Sequence, residues 1–289
     1  MVERLRRYLS LVKFSHTVFA LPFAMVGLAW GFADGGYYSW TKLGWVLVCM
    51  VTARTAAMAF NRWADRRYDA ANPRTVVREI PAGQISPGAA LALVGVNVAL
   101  FVFATSQINS LCFALSPVAL AVVLGYSFTK RFTPLCHLVL GLGLGLAPVG
   151  AYLAATGIFA WAPVLLGLAV FAWVSGFDII YALQDEEFDR AQGLQSIPAW
   201  LGGKRALAVS RGLHTIAAVL LATAGYLQGA GWVFAGAWVV FALLLVRQHR
   251  LVSAKDLSRV NLAFFTTNGI GSVLFGLLAL ADLGLRHWR

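Results

Sequence analysis

Long apolar runs alternate with short polar stretches along almost the whole chain. A membrane-crossing helix needs roughly 20 mostly apolar residues, and nine runs meet that length, at about 16–34, 41–64, 87–105, 107–128, 135–156, 161–184, 204–227, 230–247 and 258–284. They use up nearly all of the 289 residues and leave no room for a soluble domain. The pattern therefore predicts an all-α, polytopic membrane helix bundle with nine transmembrane helices and a single domain over 1–289. The leading Met1-Val-Glu-Arg-Leu-Arg-Arg7 lacks the pattern of a cleavable signal and is expected to lie as a basic helix on the membrane surface. Composition agrees: 60% apolar residues, 12% charged ones and a mean hydropathy of +0.74 belong to the membrane class.

Charge adds an orientation. When the helix ends are numbered by parity, nineteen of the twenty-three Lys and Arg residues fall on one side, from Arg4, Arg6, Arg7 and Lys13 through Arg62–Arg78, Lys130 and Arg131 to Arg259. Cytoplasmic loops carry the excess of Lys and Arg, so this face is expected to be cytoplasmic, in a multi-pass protein of the cell inner membrane. The net charge of +11 then reflects topology and attraction to anionic headgroups of the lipid bilayer, and no nucleic acid need be invoked. Cys49, Cys112 and Cys136 stand alone in or beside apolar runs without metal-ligand spacing, which leaves oxygen atoms as the ligands for any metal.

Against this apolar background the acidic residues are unevenly spread. Seven of twelve lie in two stretches, Asn61–Thr75 and Asp178–Arg190, each closing a long apolar run on the crowded basic face. Residues four and seven apart share a helical face. Arg54, Asn61, Asp65 and Asp69 are thus expected to form one polar stripe down the second span. Asp178, Tyr181, Asp185 and Asp189 should form a matching stripe on the sixth. Solvated helix ends would be the plain explanation. However, acids at a helix C-terminus oppose the macrodipole, and like charges at i,i+4 repel. Ionisable residues inside the membrane boundary also cost roughly 2.5–3.5 kcal/mol each on insertion scales. A bound cation would offset all three penalties.

Mg²⁺ suits the composition, since it takes one or two carboxylates and completes its octahedron with water and phosphate oxygens. No His or Cys joins either stripe, which argues against zinc. Arg74, Arg78, Lys130, Arg131 and Arg190 lie near the acids in sequence, and acids for metal beside bases for anionic oxygens make up a pyrophosphate site. A third motif, Tyr126-Ser-Phe-Thr-Lys130, ends the fourth span on the same face and brings Tyr126 and Lys130 onto one side of a helix. The run Gly141-Leu-Gly-Leu-Gly-Leu-Ala-Pro-Val-Gly150 lacks phosphate-loop spacing and reads as close helix packing by small residues. Walker and dinucleotide-binding patterns are absent.

Three motifs in this order on these helices, Asn61/Asp65/Asp69, Tyr126/Lys130 and Tyr181/Asp185/Asp189, resemble the UbiA superfamily of intramembrane prenyltransferases. The resemblance covers essentially the whole chain. Lys13–Phe23, Asn72-Pro-Arg-Thr75 and Asp178–Pro198 look like the branch that acts on 4-hydroxybenzoate, and equally like relatives that prenylate a naphthoate on the futalosine route to menaquinone. The resemblance implies that Asp65 and Asp69 hold one Mg²⁺ and Asp185 and Asp189 a second, both bridging the diphosphate of a polyprenyl diphosphate. Asn61 would support the first metal or touch phosphate. Lys130, with Arg54 or Arg74, would take phosphate oxygens, and Tyr126 and Tyr181 would line the allylic end. Departure of pyrophosphate leaves an allylic cation that an aromatic acid substrate attacks through the ring carbon ortho to its hydroxyl. Asp178 would anchor the acceptor or a basic partner. Lys13 or Arg54 would meet the acceptor carboxylate, with His16 as a hydrogen-bond partner.

The implied activity is Mg-dependent polyprenyl transfer to 4-hydroxybenzoate in ubiquinone or menaquinone biosynthesis. Within the same chemistry the acceptor could instead be a dihydroxynaphthoate, with a chlorophyllide or a glycerol phosphate as more distant choices. The reading from another class is an ion-coupled membrane transporter, because intramembrane acids also mark ion pathways. Against it, these acids sit near helix ends rather than at the midplane, and no pair of broken helices is evident.

Overall fold

The structure, a computed structural model, describes residues 7–8, 10–11, 19–35 and 37–287. Helix α1 spans Leu21–Ala33, α2 Trp40–Ala64, α3 Arg66–Ala71, α4 Pro87–Ile108, α5 Ser110–Thr129 and α6 Cys136–Thr156. Then come α7 Trp161–Ala182, α8 Glu186–Ala191, α9 Ile197–Leu201, α10 Gly203–Leu227, α11 Trp232–Leu251 and α12 Asn268–His287. A six-residue π-helix, Leu262–Thr267, leads into α12. Eight helical segments are long and apolar enough to cross a membrane, and the thirteen-residue α1 is a shorter apolar helix beside them. This agrees with the nine expected spans, and the chain is a multi-pass membrane protein.

Local chemistry sets the ends of these helices. Ser39, Ser86 and Asn109 cap α2, α4 and α5 by accepting backbone N–H bonds from Lys42, Ala89 and Cys112, satisfying donors that a helix start otherwise leaves orphaned. At the end of α6, Gly157 takes φ +74°, a left-handed turn that glycine adopts without strain.

The bundle has a solid half and a hollow half. In the solid half α7 packs most extensively against α6 and α10, while α1 lies between α6 and α12. Its centre is aromatic: Phe23 stacks on Phe275 at 5.3 Å, and Trp173 meets Phe23, Phe177 and Phe241 edge-on or tilted at 5.1–5.5 Å. Trp173 also donates its indole N–H to the Asn268 side chain at 3.1 Å, so the one polar atom of the ring is satisfied. In the other half, α2, α4, α5 and α6 surround an apolar cavity of about 350 Å³.

The glycine run of α6 serves both halves. A Cβ on Gly145 would stand 2.6 Å from the Gly167 carbonyl oxygen of α7, closer than any side chain tolerates. Gly150 lines the cavity, and a Cβ there meets nothing within 4 Å. Close packing, as expected from the sequence, therefore accounts for one face of the run only.

Of the stretch Met1–Arg7 expected on the membrane surface, only Arg7 is described, and it is helical and exposed. Leu11 is fully buried and packs with Ala59, Ile80, Ile85, Ala90 and Val94, and the Ser10 hydroxyl donates to Glu79. These two residues, which follow that stretch, pack on the bundle. Met1–Arg6, Lys13 and His16 lie outside the described residues.

Candidate active site

Both acidic stretches arrive at the bundle end where α2, α5 and α7 finish and α6 and α10 begin. Neither is the unbroken helical stripe that the spacing suggests. Asp65 leaves helical geometry (φ −90°, ψ 4°) between α2 and α3. Asp185 does the same (φ −107°, ψ 5°) at the end of a 3₁₀ turn, Leu183–Asp185, between α7 and α8. Both stand in the sparsely populated bridge region, where active-site residues are often found. The break falls at the same place in each motif, so Asp69 and Asp189 ride on short separate helices.

These acids line one polar cavity of about 190 Å³, with Asn61, Asn72, Arg74, Arg78, Tyr126, Lys130, His137, Asp178, Tyr181 and Ser196 around them. Asp65 is 4% exposed and Asp69 5%. The Asn61 amide donates to Asp65 Oδ2 at 3.1 Å. Lys130 Nζ stands 3.4 Å from the same oxygen, and Arg131 lies 3.6 Å from Oδ1. Arg78 donates to Asp69 Oδ1 at 2.6 Å. On the other motif, Arg74 grips Asp185 with a bidentate fork, and the Asn72 amide reaches Asp185 Oδ1 at 3.1 Å. Arg74 also donates to the Tyr181 hydroxyl at 3.0 Å. The loop after α3 thus ties the first motif to the second, and an Asx turn from Asn72 to the Arg74 N–H, 2.9 Å, shapes that loop.

The electrostatics follow from burial and pairing. Burial raises the Asp65 carboxyl above its ordinary range; Lys130 and Arg131 oppose the shift and the neighbouring Asp69 adds to it. Burial works against the Arg74 guanidinium, yet its hydrogen bond and charge interaction with Asp185 win, and its pKa is raised.

Two observations test this site for Mg²⁺. Asp65 Oδ1 and Asp69 Oδ2 are buried without a hydrogen-bond donor among the described residues, an unfavourable state for a carboxylate oxygen unless a ligand completes it. Among the described residues, no group of three or more His, Cys, Asp or Glu forms a ready-made cage. Carboxylate pairs that need water and phosphate to complete a shell suit Mg²⁺ better than a metal held wholly by protein, so the residues present fit the group.

Several sequence-predicted residues fall where expected, and others do not. Asn61, Asp65, Asp69, Arg74, Tyr126, Lys130, Asp178, Tyr181, Asp185 and Asp189 all line the polar cavity. Arg54 does not: it lines the apolar cavity, with Nε buried and without a hydrogen-bond partner among the described residues. Tyr126 borders both cavities. Arg190 turns away to Glu186 at 2.9 Å and to the Ala199 carbonyl. Sequence reasoning missed His137, the first-turn histidine of α6, which is 3% exposed and bonded to Asp178 at 2.7 Å. The turn between α5 and α6 separates it from the Tyr126 and Lys130 face, so helical spacing gave no cue. The side chain of Asn72 was also missed, although its stretch carried part of the resemblance.

With fold and site in place, the relatives can be set beside them. Residues 20–270 match the UbiA prenyltransferase family. A 4-hydroxybenzoate octaprenyltransferase of Citrobacter koseri is 31% identical over 245 residues, covering 83% of this chain and 84% of that protein. One from Salmonella paratyphi B is 31% identical over 249 residues, covering 85% and 84%. Among solved structures, an apo UbiA homologue from Aeropyrum pernix K1 superposes with a TM-score of 0.84 at 34% identity, over 92% of this chain and 98% of that one. A UbiA homologue from Archaeoglobus fulgidus bound to DMAPP and Mg²⁺ gives 0.76 at 22% identity, over 96% and 99%, a likeness of fold. The fold and site are those of a membrane-embedded prenyltransferase. The chain belongs to the UbiA prenyltransferase family, which decides against the ion-coupled carrier.

Proposed function

We propose that this protein transfers a polyprenyl group from polyprenyl diphosphate to a ring carbon of 4-hydroxybenzoate, with Mg²⁺, as a step in quinone biosynthesis. The observation that carries the proposal is the meeting of two cavities at Tyr126 and Leu140: a polar one lined by five aspartates and by Arg74, Arg78 and Lys130, and a larger apolar one running behind it. A diphosphate with a long hydrocarbon tail has this two-part chemistry. The likeness to 4-hydroxybenzoate octaprenyltransferases supports the acceptor, and the Mg²⁺ and DMAPP bound by the Archaeoglobus homologue support the donor and metal.

In this reading Asp65 with Asp69, and Asp185 with Asp189, hold Mg²⁺, which when bound neutralises charge on the diphosphate as it leaves. Arg74, Arg78 and Lys130 now sit on the carboxylates and take phosphate oxygens instead once the donor enters, with Asn61 bracing Asp65. Tyr126 and Tyr181 flank the allylic carbon and help keep water from the cation. Arg54 belongs with the acceptor rather than the diphosphate, since it lines the apolar cavity with a buried Nε that has no hydrogen-bond partner among the described residues, and a benzoate carboxylate would satisfy it. Asp178 receives the acceptor hydroxyl. The basic end of the bundle faces the cytoplasm, as the Lys and Arg distribution indicates, and the whole chain acts as one domain.

The deciding experiment supplies purified protein with a radiolabelled prenyl diphosphate and either 4-hydroxybenzoate or a dihydroxynaphthoate. Label in prenylated hydroxybenzoate is expected. Label only in the naphthoate product would overturn the acceptor assignment.

Donor length gives a further prediction. Between Cys112 and Tyr126 the cavity follows α5 for fourteen residues, or about 21 Å at 1.5 Å per residue. Gly150 lines this space and a Cβ there meets nothing within 4 Å, so a tryptophan at this position has room to project into the cavity. Gly150→Trp should therefore retain geranyl diphosphate as donor while losing at least about tenfold in kcat/KM for long polyprenyl donors. Tenfold is about 1.4 kcal/mol, the contribution of roughly two buried CH₂ groups at about 0.8 kcal/mol each. A parallel assay of short and long donors reads the ratio.

A further inference from the structure

His137 holds Asp178 from behind. The backbone N–H of Ile197 donates to His137 Nε2 at 3.3 Å, so Nε2 offers its lone pair and the ring proton resides on Nδ1. Nδ1–H then points at Asp178 Oδ2, 2.7 Å away. The imidazole is 3% exposed, which leaves the ring little freedom to turn. Asp178 is 22% exposed in its side chain and lines the polar cavity. No donor among the described residues is hydrogen-bonded to its Oδ1. One carboxylate oxygen is thus pinned by the histidine, and the other remains available to the cavity.

The placement along α7 is informative. Asp178 precedes Asp185 by seven residues, about 10 Å along the helix axis, so it lies below the diphosphate end and beside Tyr126, at the mouth of the apolar cavity. A group there is too deep to hold phosphate through a metal at Asp185. It sits at the level where the allylic carbon and the acceptor ring must meet.

We propose that His137 is a positioning residue for the acceptor: it orients Asp178 so that the free carboxylate oxygen accepts the hydrogen bond of the aromatic hydroxyl. That bond strengthens as the hydroxyl becomes more acidic during attack by the ring, and it places the ortho carbon over the allylic centre. The strap 193–197 takes part, because Gln195 N–H donates to the Lys130 carbonyl at 2.6 Å while Ile197 fixes the histidine tautomer. One strap therefore braces both the lysine end of the diphosphate site and the acceptor carboxylate. The inference rests on the transfer to an aromatic acid proposed above.

The test separates the two ring nitrogens. His137→Asn places an amide donor where Nδ1 stands and keeps the bond to Asp178. His137→Gln reaches the position of Nε2, keeping an acceptor for Ile197 and losing the donor to Asp178. Steady-state transfer is measured against acceptor and against donor for both variants and for His137→Leu. The expected result is a tenfold or greater loss in acceptor kcat/KM for Gln and Leu, with Asn within about threefold of the wild type. The donor KM and the Mg²⁺ concentration for half-activation should stay unchanged in the Gln and Asn variants, where a structural defect would move them too. Equal activity of Gln and Asn, or a rise in donor KM matching the acceptor loss, overturns the role of His137. A wild type that transfers to no aromatic acid overturns the function reading itself, and this inference with it.

Discussion

Asp69→Asn should abolish most prenyl transfer while leaving the protein folded. Asparagine keeps the shape and still accepts the Arg78 hydrogen bond, now 2.6 Å, through its amide oxygen. It removes the negative charge and puts an amide NH2, which cannot ligate a metal, at the buried, undonated Oδ2 position. Loss of one element of a preorganised charge-stabilising site costs about 100- to 1,000-fold in kcat, and the same size of effect is expected here. Asp189→Ala on the opposite motif should match it, with insertion and detergent-solubilised elution profile unchanged. Because the four carboxylates act on one diphosphate, the pair of substitutions together should cost little more than either alone. Transfer assays on the two single variants and the double variant read this directly. Multiplied losses would mean that the motifs serve separate sites.

Arg54→Met should damage the acceptor side alone. The guanidinium Nε is buried, with no hydrogen-bond partner, in an otherwise apolar cavity, so a carboxylate arriving there gains a desolvated, charge-assisted pair. Truncating one partner of such a pair costs at least about 2 kcal/mol, roughly 30-fold in affinity. The acceptor KM should rise by that factor or more, with donor KM held. Arg54→Lys should fall between the two, since it keeps the charge and loses the fork. Thermal stability should not drop in Arg54→Met, because an unpaired buried cation is a cost to the empty protein. A rise in donor KM instead would return Arg54 to the diphosphate, the other role that the sequence allowed.

The sequence disclosed different parts of this architecture unequally, for physical reasons. The long helices were legible because bilayer-length apolar runs end at readable caps such as Ser39, Ser86 and Gly157. The three motifs were legible because i,i+4 spacing survives even where the helix does not. The breaks at Asp65 and Asp185 were not legible, since neither is flanked by the glycine or proline that usually marks one. His137 was hidden for a similar reason: a lone histidine at the start of an apolar helix has no local partner, and Asp178 lies forty-one residues away. The division of the α6 glycine run also depends on which helices surround it. Gly145 meets α7, whereas Gly150 faces open space, and no local spacing separates those two fates.

Both acidic motifs and Mg²⁺ are expected to form one diphosphate site. The most direct measurement is equilibrium binding of a prenyl diphosphate to purified protein, with Mg²⁺ or with EDTA, for the wild type, Asp69→Asn and Asp185→Asn. Mg²⁺-dependent binding is expected in the wild type, lost in EDTA and weakened at least tenfold by either substitution. Binding that survives EDTA, or that one of the two substitutions leaves intact, would contradict it.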